Sequence, residues 1–575
     1  MPRELLIQAL SDALSKARSA GDLPESPSPE IDLQTPRDSR HGDFSTSLAM
    51  VVASESGRPP REVADTLVRH LDLPEGLAES VNIAGPGFIN FVLSPVWLRR
   101  VVRRVLEEGE DYGRSDTGQG QRLLLEFVSA NPTGPIAVVQ GRAAALGDAL
   151  ARLFQRIGWV VSREYYVNDA LNSTQVQRFA ETLDARYLQQ LGRQAAVPED
   201  GYQGDYVIDM AEQLVAAEGD KYLGMARDER LAALTEYSLQ KIVADQQRDM
   251  ADFGVTFDTW FMESTLYDRD EVSQAVETLK AAGHTYEADG ALWLKATHFG
   301  DEQDHVLVRK DGRPTYLAGD IAYHKNKFDR GFDRLIDIWG PDHQGHVRRT
   351  KAGVQAIGYD PSRFEILIHQ IVRLFRGSEM VRMSKRAGDI VPLSGLIEDV
   401  GADAARFFFL MQSMESHLDF DLELAKKRAA ENPVYYVQYA HARICSILRE
   451  AEDRGVSVPN IADANLDRES SFDRQSSFDR QSSFDRLGEP DELALMRKLA
   501  DLPHEVSEAA QRYEPHRMTR YARELAATFH GFYTNCRVLG DDSELTAARL
   551  ALVQAALTGL RIVLTIIGVS APEKM

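Results

Sequence analysis

The chain has 575 residues, and 88 acidic against 66 basic side chains give it a formal net charge of −22. This length exceeds what one hydrophobic core usually supports, so we expect about three or four domains, and the negative charge argues against non-specific coating of nucleic acid. The absence of a run of about 18 uncharged apolar residues and of a secretion signal predicts a cytoplasmic protein, and two distant cysteines argue against a disulfide framework or a zinc site.

Residues 1–112 are predicted to form a small α+β domain. An amphipathic helix pattern covers Leu5–Ala17. The segment Ser80–Leu93 has the apolar character of strands, with Ala84–Gly87 as the turn. The first domain boundary is therefore expected near residue 112.

A strand, a loop and a helix are predicted next. The apolar run Arg122–Val128 is followed by the turn residues Asn131–Pro135, and leucines then recur at helical spacing until Gly158 ends the pattern. A second apolar run, Trp159–Val167, completes a β-α-β unit. In parallel sheets such a unit opens its ligand crevice at the carboxyl end of the strand, where the loop lies.

Strand and helix patterns alternate through residues 113–395, which predicts an α/β nucleotide-binding domain with a helical insertion near 172–255. A connecting helical segment is expected at 396–432. Residues 433–575 are helical in pattern and predict an all-α bundle. Its helical patterns are Pro433–Glu452, Asp491–Tyr513, Arg517–Asn535 and Ser543–Gly568.

A six-residue repeat interrupts this bundle. The hexad that begins at Ser470 is repeated from Ser476 and is cut short at Arg486. A repeat so short and polar cannot bury a core, so we expect a disordered loop at 470–486. The alternative is a docking segment that uses the phenylalanines of the repeat.

A basic loop has the composition of a phosphate-binding element. The segment Val381–Gly388 has the sequence Val-Arg-Met-Ser-Lys-Arg-Ala-Gly and places Lys385 among arginines. Cationic groups on a glycine-ended loop suit a triphosphate, because they can close on the charge that develops as pyrophosphate leaves. Taken alone, the segment is also consistent with a solvated basic loop.

Seven segments, in order along the chain, carry a family resemblance: Glu126–Pro135, Arg163–Asp169, Thr315–His324, Gly340–His346, Asp403–Phe409, Asn432–Arg443 and Ala571–Met575. Together with the basic loop they resemble arginyl-tRNA synthetases, nearly from end to end. The segment after Glu126 and the basic loop resemble the two signature motifs of class I aminoacyl-tRNA synthetases, usually written HIGH and KMSKS.

The resemblance implies a multidomain α/β protein with a Rossmann-type parallel-sheet catalytic domain, an N-terminal α+β domain that touches tRNA and a C-terminal all-α anticodon-binding bundle. It implies an ATP-dependent ligase, in which arginine attacks the α-phosphate of magnesium-bound ATP to give arginyl-adenylate and pyrophosphate. A terminal ribose hydroxyl of tRNA(Arg) then takes the arginyl group and AMP leaves. The expected partners are arginine, ATP with Mg²⁺ and tRNA(Arg), with no zinc, DNA or membrane, and the expected state is a monomer.

The resemblance places Glu126, Tyr316 and Asp320 around the side chain of arginine and Asn131 at its α-amino or carboxylate group. Converging carboxylates and hydroxyls suit a guanidinium, which offers five donors in a planar fork. Two alternatives stay open. Glu126 could be an ion-paired core residue, and Asn131 could serve only to form the turn before Pro132.

For ATP, the resemblance implies binding by Gly141, Gly340, Asp342, His346, Met383 and Ser384 and catalytic roles for Lys385, Gln140 and Arg382. A small residue such as Gly340 permits base stacking, and the Asp342 carboxylate can accept ribose hydroxyls. His346 could equally cap the following helix. Lys385 is the residue expected to stabilise the phosphate charge of the transition state.

For tRNA, the resemblance implies contacts by Phe88 and Asn90 of the N-terminal domain and by Tyr435, Tyr439 and Arg443 of the bundle. Phe88 and Asn90 alternate along a strand, so one could stack on a base while the other hydrogen-bonds it. The alternative is a core phenylalanine beside a turn-forming asparagine. Aromatic residues at helical spacing in the bundle could likewise be core residues.

The sequence departs from the family pattern at one motif. The usual Pro-Leu-His-Val-Gly-His-Gly-Arg is replaced by Pro135–Arg142, in which Ala137, Val139 and Gln140 stand for histidine, glycine and histidine. The replaced histidines would donate hydrogen bonds to phosphate oxygens. Gln140 and the free N–H groups at the start of the helix could still donate. We expect a working enzyme with a variant motif, and the alternative is an impaired paralogue that binds tRNA or arginine. The chain is not expected to be another class I synthetase, such as the cysteine enzyme, because it lacks the cysteines that bind zinc in that enzyme.

Overall fold

The computed structural model describes residues 2–36, 38–170, 173–381, 391–456 and 483–575. The N-terminal unit is an antiparallel sheet with strand order β1-β2-β4-β3, covered by helices. Its elements are α1 (Pro2–Ser19), β1 (Leu33–Gln34), β2 (Phe44–Thr46), α2 (Leu48–Ser56), α3 (Pro60–His70), β3 (Ala78–Ala84), β4 (Phe88–Leu93) and α4 (Pro95–Glu108). The predicted α+β arrangement and the turn between Ala84 and Phe88 are confirmed.

A parallel five-stranded sheet with strand order β12-β11-β5-β6-β7 forms the centre of the molecule. The elements from residue 122 to 381 are β5 (Arg122–Glu126), α5 (Val138–Arg156), β6 (Val160–Val167), α6 (Thr174–Gln190), α7 (Asp205–Glu218), α8 (Arg227–Asp252), β7 (Thr259–Met262), α9 (Ser264–Asp268), α10 (Glu271–Ala281), β8 (Thr285–Ala288), β9 (Ala291–Leu294), β10 (His305–Val308), α11 (Tyr316–Asp329), β11 (Arg334–Trp339), α12 (Val347–Ala356), β12 (Phe364–Ile368), β13 (Val372–Arg376) and β14 (Glu379–Val381). The predicted β-α-β unit and parallel sheet are therefore confirmed.

The order of the strands reverses at β5. The chain passes from β5 through α5 to β6 on one side, whereas β11 pairs with β5 on the other side, with Asp337 opposite Glu126. Open parallel sheets bind ligands in the crevice outside the carboxyl ends of the strands at such a switch point. The carboxyl ends of β5 and β11 are therefore where a site is expected.

Strand β5 is two residues shorter than predicted, because the backbone turns directly after Glu126. Val128 and Ser129 have positive φ values of 73° and 39°, in the left-handed region that L-residues seldom adopt. Leu123 to Leu125 are buried, as in a strand covered on both faces. The turn brings the loop that follows over the carboxyl end of the sheet.

Two small sheets were not predicted. Strands β8 to β10 form an antiparallel sheet in the order β10-β9-β8, inserted before α11. Strand β13 pairs antiparallel with β14 and parallel with β15 (Leu418–Asp421). These strands have only three to five residues each, too few for a clear period in the sequence.

The C-terminal third is helical, as predicted, and packs against α4 and α5. Its helices are α13 (Leu393–Val400), α14 (Ala402–Phe409), α15 (Leu422–Lys426), α16 (Pro433–Asp453), α17 (Pro490–Gln511), α18 (His516–Asn535) and α19 (Ser543–Ile567). By length and composition α19 could cross a membrane, but 78% of its most apolar window is buried inside the protein, as in a core helix. Most of the hexad repeat lies outside the described residues, and Ser483–Arg486 forms a 3₁₀ turn.

Candidate active site at the switch point of the sheet

A buried ion cluster lies directly beneath the crevice. Lys327 of α11 donates to Glu126 Oε2 at 2.5 Å and to Asp337 Oδ1 at 2.8 Å, and so bridges β5 and β11. His324, one turn earlier, contacts the other oxygen of Asp337 at 2.8 Å. Burial opposes the charge on Lys327, yet Asp337 and Glu126 outweigh it and raise the pKa of its ammonium group. Glu126 is thus ion-paired with Lys327, and its contact with the arginine substrate stays a prediction.

The predicted arginine-binding residues Tyr316 and Asp320 lie on the first turn and a half of α11. They are four residues apart, so their side chains share a helix face. Tyr316 is 56% exposed, and Asp320 is half-buried. Burial raises the pKa of the Asp320 carboxyl, and no side chain in the described part of the chain forms an ion pair or hydrogen bond with it. Asp320 is therefore available to a cation that enters the crevice.

Asn131 lies in the loop after β5. Its side-chain amide donates to Gln175 Oε1 at 2.7 Å, which ties the loop to the start of α6. The backbone carbonyls of Asn131 and Gly134 accept from the buried Gln246 amide at 3.3 and 3.0 Å. The loop is thus held from two helices of the insertion, and the Asn131 side chain lies at the edge of the crevice.

The amino end of α5 contains Val138, Val139 and Gln140. Gln140 Oε1 accepts the backbone N–H of Ala137 at 2.7 Å, while Val138 N–H donates to Val391 O at 3.2 Å. The Val138 contact uses one of the helix N–H groups that were predicted to be free for phosphate. Because the Gln140 oxygen is bonded to Ala137, the amide nitrogen of Gln140 is the part of this side chain that is left as a donor.

Gly141 lies where α5 meets α13 and α14. A Cβ atom built on it would lie 2.6 Å from Leu393 Cδ1 and 3.2 Å from Phe409 Cε2, and its N–H donates to Ala137 O at 3.1 Å. Its lack of a side chain therefore lets α5 pack against α13 and α14. Contact between Gly141 and ATP stays a prediction.

The other predicted ATP residues lie at the carboxyl end of β11. A Cβ atom on Gly340 would meet only His369 Nε2, at 3.9 Å, so the crevice is open there. Asp342 is exposed in the 3₁₀ turn Pro341–His346. His346 occupies the capping position of α12 without a side-chain capping bond, and burial together with nearby Arg349 and His343 lowers its pKa. Gly340 and Asp342 thus border one crevice.

The remaining predicted residues of this group, Arg382, Met383, Ser384 and Lys385, lie outside the described residues. One positioning residue, Arg142, was not predicted. Arg142 is fully buried and donates to three backbone carbonyls, those of Gln370 at 2.9 Å, Ser416 at 2.9 Å and Ser413 at 2.8 Å. It fixes α5 to the start of β13 and to the chain before β15, and burial lowers its pKa to about 10.

The N-terminal candidates separate in the structure. Phe88 is 39% exposed at the start of β4, whereas Asn90 is only 6% exposed and accepts from Ser45 Oγ at 2.6 Å. Both side chains are on one face of the strand, but Asn90 is engaged within the sheet. Phe88 therefore presents an exposed aromatic ring, whereas the Asn90 side chain is buried.

The bundle candidates form one exposed aromatic platform. Tyr435 and Tyr439 have ring centroids 6.2 Å apart and an interplanar angle of 8°, and Arg443 lies 4.7 Å above the Tyr439 ring. Arg443 also contacts Tyr533 of α18 at 5.1 Å, and His530 packs 6.0 Å from Tyr439. The last two residues were not predicted, since only the packing of α18 against α16 brings them here.

Across the described ranges, no group of three histidine, cysteine, aspartate or glutamate side chains is arranged to hold a metal ion. Both cysteines are buried.

Three family models match the chain in order. They are the arginyl tRNA synthetase N terminal domain at residues 4–93, the catalytic domain of class I (R) tRNA synthetases at 101–413 and the DALR anticodon binding domain at 437–575. The catalytic match covers the switch-point crevice with all elements from β5 to β14.

Similar proteins span the full chain. An arginine–tRNA ligase of Moorella thermoacetica is 50% identical over 99% of this chain and 98% of its own length, and one of Heliobacterium modesticaldum is 49% identical over 100% and 99%. The structure of a putative arginyl-tRNA synthetase from Campylobacter jejuni matches with a TM-score of 0.73 and 31% identity, over 84% of this chain and 100% of that chain. The Thermus thermophilus arginyl-tRNA synthetase has the same fold, with a TM-score of 0.75 at 24% identity, over 99% of this chain and 100% of that chain.

These matches give no support to the alternative of an impaired paralogue, because the relatives that are about half identical over their full length are named as ligases. The predicted resemblance is confirmed along the whole chain. The chain belongs to the arginyl-tRNA synthetase family of class I aminoacyl-tRNA synthetases.

Proposed function

We propose that this protein ligates L-arginine to tRNA(Arg) with ATP, through arginyl-adenylate, releasing pyrophosphate and then AMP. The observation that carries the proposal is the Asp320 carboxylate, which lies without an ion-pair partner among the described side chains at the switch-point crevice of an arginyl-tRNA synthetase fold. A substrate cation would offset the cost of burying that charge.

In the first step, the carboxylate of arginine attacks the α-phosphate of ATP, whose phosphates bring Mg²⁺ with them. Tyr316 and Asp320 hold the side chain of arginine and Asn131 its α-amino or carboxylate group. Gly340 leaves room for adenine, and Asp342 accepts ribose hydroxyls. His346, whose pKa is lowered by burial and by the nearby Arg349 and His343, is assigned to the same ATP site.

The phosphates are assigned to Gln140, Arg382, Met383, Ser384 and Lys385. The Gln140 amide oxygen caps α5, so its nitrogen is the atom that can donate to a phosphate oxygen. Preorganised donors of this kind lower the barrier because they need no reorientation as charge develops. Lys385 is assigned to the charge that develops as pyrophosphate leaves, and Lys385→Ala should slow adenylate formation with little change in arginine affinity.

In the second step, a terminal ribose hydroxyl of tRNA takes the arginyl group. Phe88 offers an exposed ring on the N-terminal domain, and Tyr435, Tyr439 and Arg443 offer the stacked platform of the bundle. Unpaired bases stack on such surfaces. Domain boundaries at 112, 395 and 432, a monomeric state and a cytoplasmic location belong to the same proposal.

The test is aminoacylation of purified tRNA with labelled arginine, ATP and Mg²⁺. Turnover that requires arginine, ATP and tRNA together supports the proposal. Tight tRNA binding with no arginylation would contradict it and would favour a binding protein. The reaction should contain tRNA throughout, since an exchange assay without tRNA examines only the first step.

A further inference from the structure

The end of the hexad repeat is folded against the protein. The 3₁₀ turn Ser483–Arg486 contains the Phe-Asp-Arg unit of the last copy and leads into α17. Phe484 is half-buried and packs against the main hydrophobic core, and Leu487, the residue after the turn, is fully buried. The N–H of Leu487 donates to Phe484 O at 3.0 Å and closes the turn. Two apolar side chains therefore anchor this turn.

Helix α4 of the N-terminal unit holds the turn from one side. Arg99, on the second turn of α4, donates to Leu487 O from Nε at 3.0 Å and from Nη2 at 2.8 Å. Its Nη1 atom lies 3.5 Å from the Asp485 carboxylate, and only 19% of the Arg99 side chain is exposed. Hydrogen bonds from a charged donor are roughly twice as strong as neutral ones. Arg99 thus ties α4 to the backbone of the turn as well as to its acidic side chain.

The C-terminal bundle holds the turn from the other side. Arg486 pairs with Asp542 and, at 3.7 Å, with Glu544. Both acids lie at the amino end of α19, where the Asp542 side chain caps the helix. These ion pairs are partly exposed, so they orient the Arg486 side chain more than they stabilise the protein.

The charges of the turn match those of its two neighbours. Asp485 and Arg486 are consecutive and of opposite sign, and each meets the opposite sign on a different domain. The same Phe-Asp-Arg order occurs in the sequence at 472–474 and at 478–480. Removal of those two copies from the chain would therefore keep one complete docking unit.

The contact at Arg99 lies close to the N-terminal sheet. Strand β4 begins at Phe88 and leads directly into α4, and Arg99 is on the half of α4 that is nearer to the strand. A further contact joins the same domains, because Asp43 pairs with Arg497 of α17 at 2.5 Å and accepts the Leu93 N–H at 2.6 Å. The placement of the sheet on the bundle is therefore set by polar contacts near both Asp43 and Arg99.

We propose that residues 484–487 form a clip that fastens α4 to the bundle and fixes how the N-terminal sheet, with Phe88, is placed relative to the platform of Tyr435, Tyr439 and Arg443. The role of these two surfaces in binding tRNA rests on the proposed function, whereas the fastening does not. A ligand that spans two surfaces binds more tightly when their spacing is preset. The clip therefore strengthens tRNA binding without contacting tRNA.

Hydrogen–deuterium exchange of the full-length protein tests the fastening. Arg99→Met removes the bonds to Leu487 O and the pair with Asp485. We expect amide exchange in β4 and in the first half of α4 to rise about tenfold, with exchange in β5 and β11 unchanged. Arg103→Met is the matched control, since Arg103 lies one turn further along α4 and pairs with Glu107 at the surface. Exchange in β4 should stay at the wild-type rate in this control.

Two further variants separate the clip from the rest of the repeat. Phe484→Ala removes an apolar anchor and should raise exchange in the same segments. Deletion of residues 470–481 keeps the last copy complete and should give the wild-type exchange pattern. If Phe484→Ala does not fold, Arg486→Met changes a half-exposed side chain and has the same expected result. Wild-type exchange in all the folded clip variants would overturn the inference, and so would a rise in the deletion variant as large as in Arg99→Met.

Binding of tRNA, which needs no catalysis, is the second readout. In a titration, Arg99→Met should bind tRNA(Arg) about fivefold more weakly than the wild type, and Arg103→Met should bind it equally well. Phe88→Ala should cost less affinity in Arg99→Met than in the wild type, because Phe88 is then no longer held at a fixed place. Equal costs of Phe88→Ala in the two backgrounds would overturn the role of the clip in tRNA binding. Wild-type protein that binds tRNA but arginylates none would refute the proposed function and not the clip.

Discussion

Gln140 Oε1 accepts the backbone N–H of Ala137 at 2.7 Å, and this hydrogen bond determines how the amide is oriented. Glutamate could make the same bond, but it would present a second carboxylate oxygen in place of the donor nitrogen. Gln140→Glu should therefore keep the cap of α5 and lose the phosphate donor. We expect a fall in kcat on the order of 100-fold or more, measured as arginylation at saturating arginine.

A matched control for this variant lies on the same helix. Gln155→Glu changes an exposed residue near the far end of α5 and should leave kcat unchanged. The thermal midpoint of Gln140→Glu should equal that of the wild type. Full activity in Gln140→Glu would remove Gln140 from the phosphate site.

Because of the ion cluster under the crevice, we predict that replacing two different lysines of α11 has very different effects on thermal stability. Lys327→Met would leave Glu126 and Asp337 buried without their cation, and losing one partner of a buried pair costs about 3 to 5 kcal/mol. Thermal unfolding should therefore begin at a clearly lower temperature. Lys325→Met removes a partly exposed partner of Asp329 and should cost less than about 1 kcal/mol. Equal midpoints for the two variants would mean that the cluster contributes little.

The carboxylate of Asp320 predicts an effect on arginine alone. Asp320→Asn should raise the KM for arginine by roughly 10- to 150-fold, because charged hydrogen bonds are worth about 1.5 to 3 kcal/mol. The KM for ATP should stay near its wild-type value, which steady-state kinetics measures separately. Asp329→Asn, exposed at the end of the same helix, is the control and should change neither constant. A larger effect on ATP than on arginine would place Asp320 elsewhere.

The open space at Gly340 predicts an effect on ATP alone. Gly340→Val would fill the crevice beside His369, and overpacking of this kind costs about 1 to 3 kcal/mol. The KM for ATP should rise accordingly, with the KM for arginine little changed. Gly345→Val, where an added Cβ meets nothing within 4 Å, should leave ATP binding intact. An unaffected ATP constant in Gly340→Val would show that adenine does not lie there.

The platform on α16 and α18 predicts a loss of tRNA affinity. Tyr439→Ala removes an exposed ring and its contact with Arg443, and a stacked base is worth about 1 to 3 kcal/mol. The KM for tRNA should rise by the factor that corresponds to this free energy. Adenylate formation with bound tRNA should be retained. Tyr286→Ala removes a ring of the same exposure, 37%, from the small sheet before α11 and serves as the control. Equal tRNA constants for the two variants would contradict the platform.

The sequence predicted the elements whose burial repeats with a clear period. The helices α16 to α19 bury one or more faces along many turns, so apolar residues recur at helical spacing often enough to be recognised in the sequence. Strand β5 is recognised by its continuous apolar run. The small sheets β8 to β10 and β13 to β15 had no such signal. Their strands are short, and their partners are set by tertiary packing.

Within the site, the sequence could show which residues share a helix face. It could not show which residues far apart in the chain pair with each other. The four-residue spacing of Tyr316 and Asp320 places both on one helix face, which a sequence can show. Glu126 and Lys327 are 201 residues apart, so their ion pair and its effect on the charge of Glu126 required the structure.

The identity of the amino acid that the enzyme attaches to tRNA tests the proposed arginylation most directly. Purified protein is incubated with total tRNA, ATP, Mg²⁺ and an equimolar mixture of the twenty amino acids, and the aminoacylated tRNA is analysed by mass spectrometry. We predict that arginine alone is attached, and only to tRNA(Arg). Attachment of a different amino acid, or of none under conditions in which the protein binds arginine and ATP, would contradict the proposed ligation of arginine to tRNA(Arg).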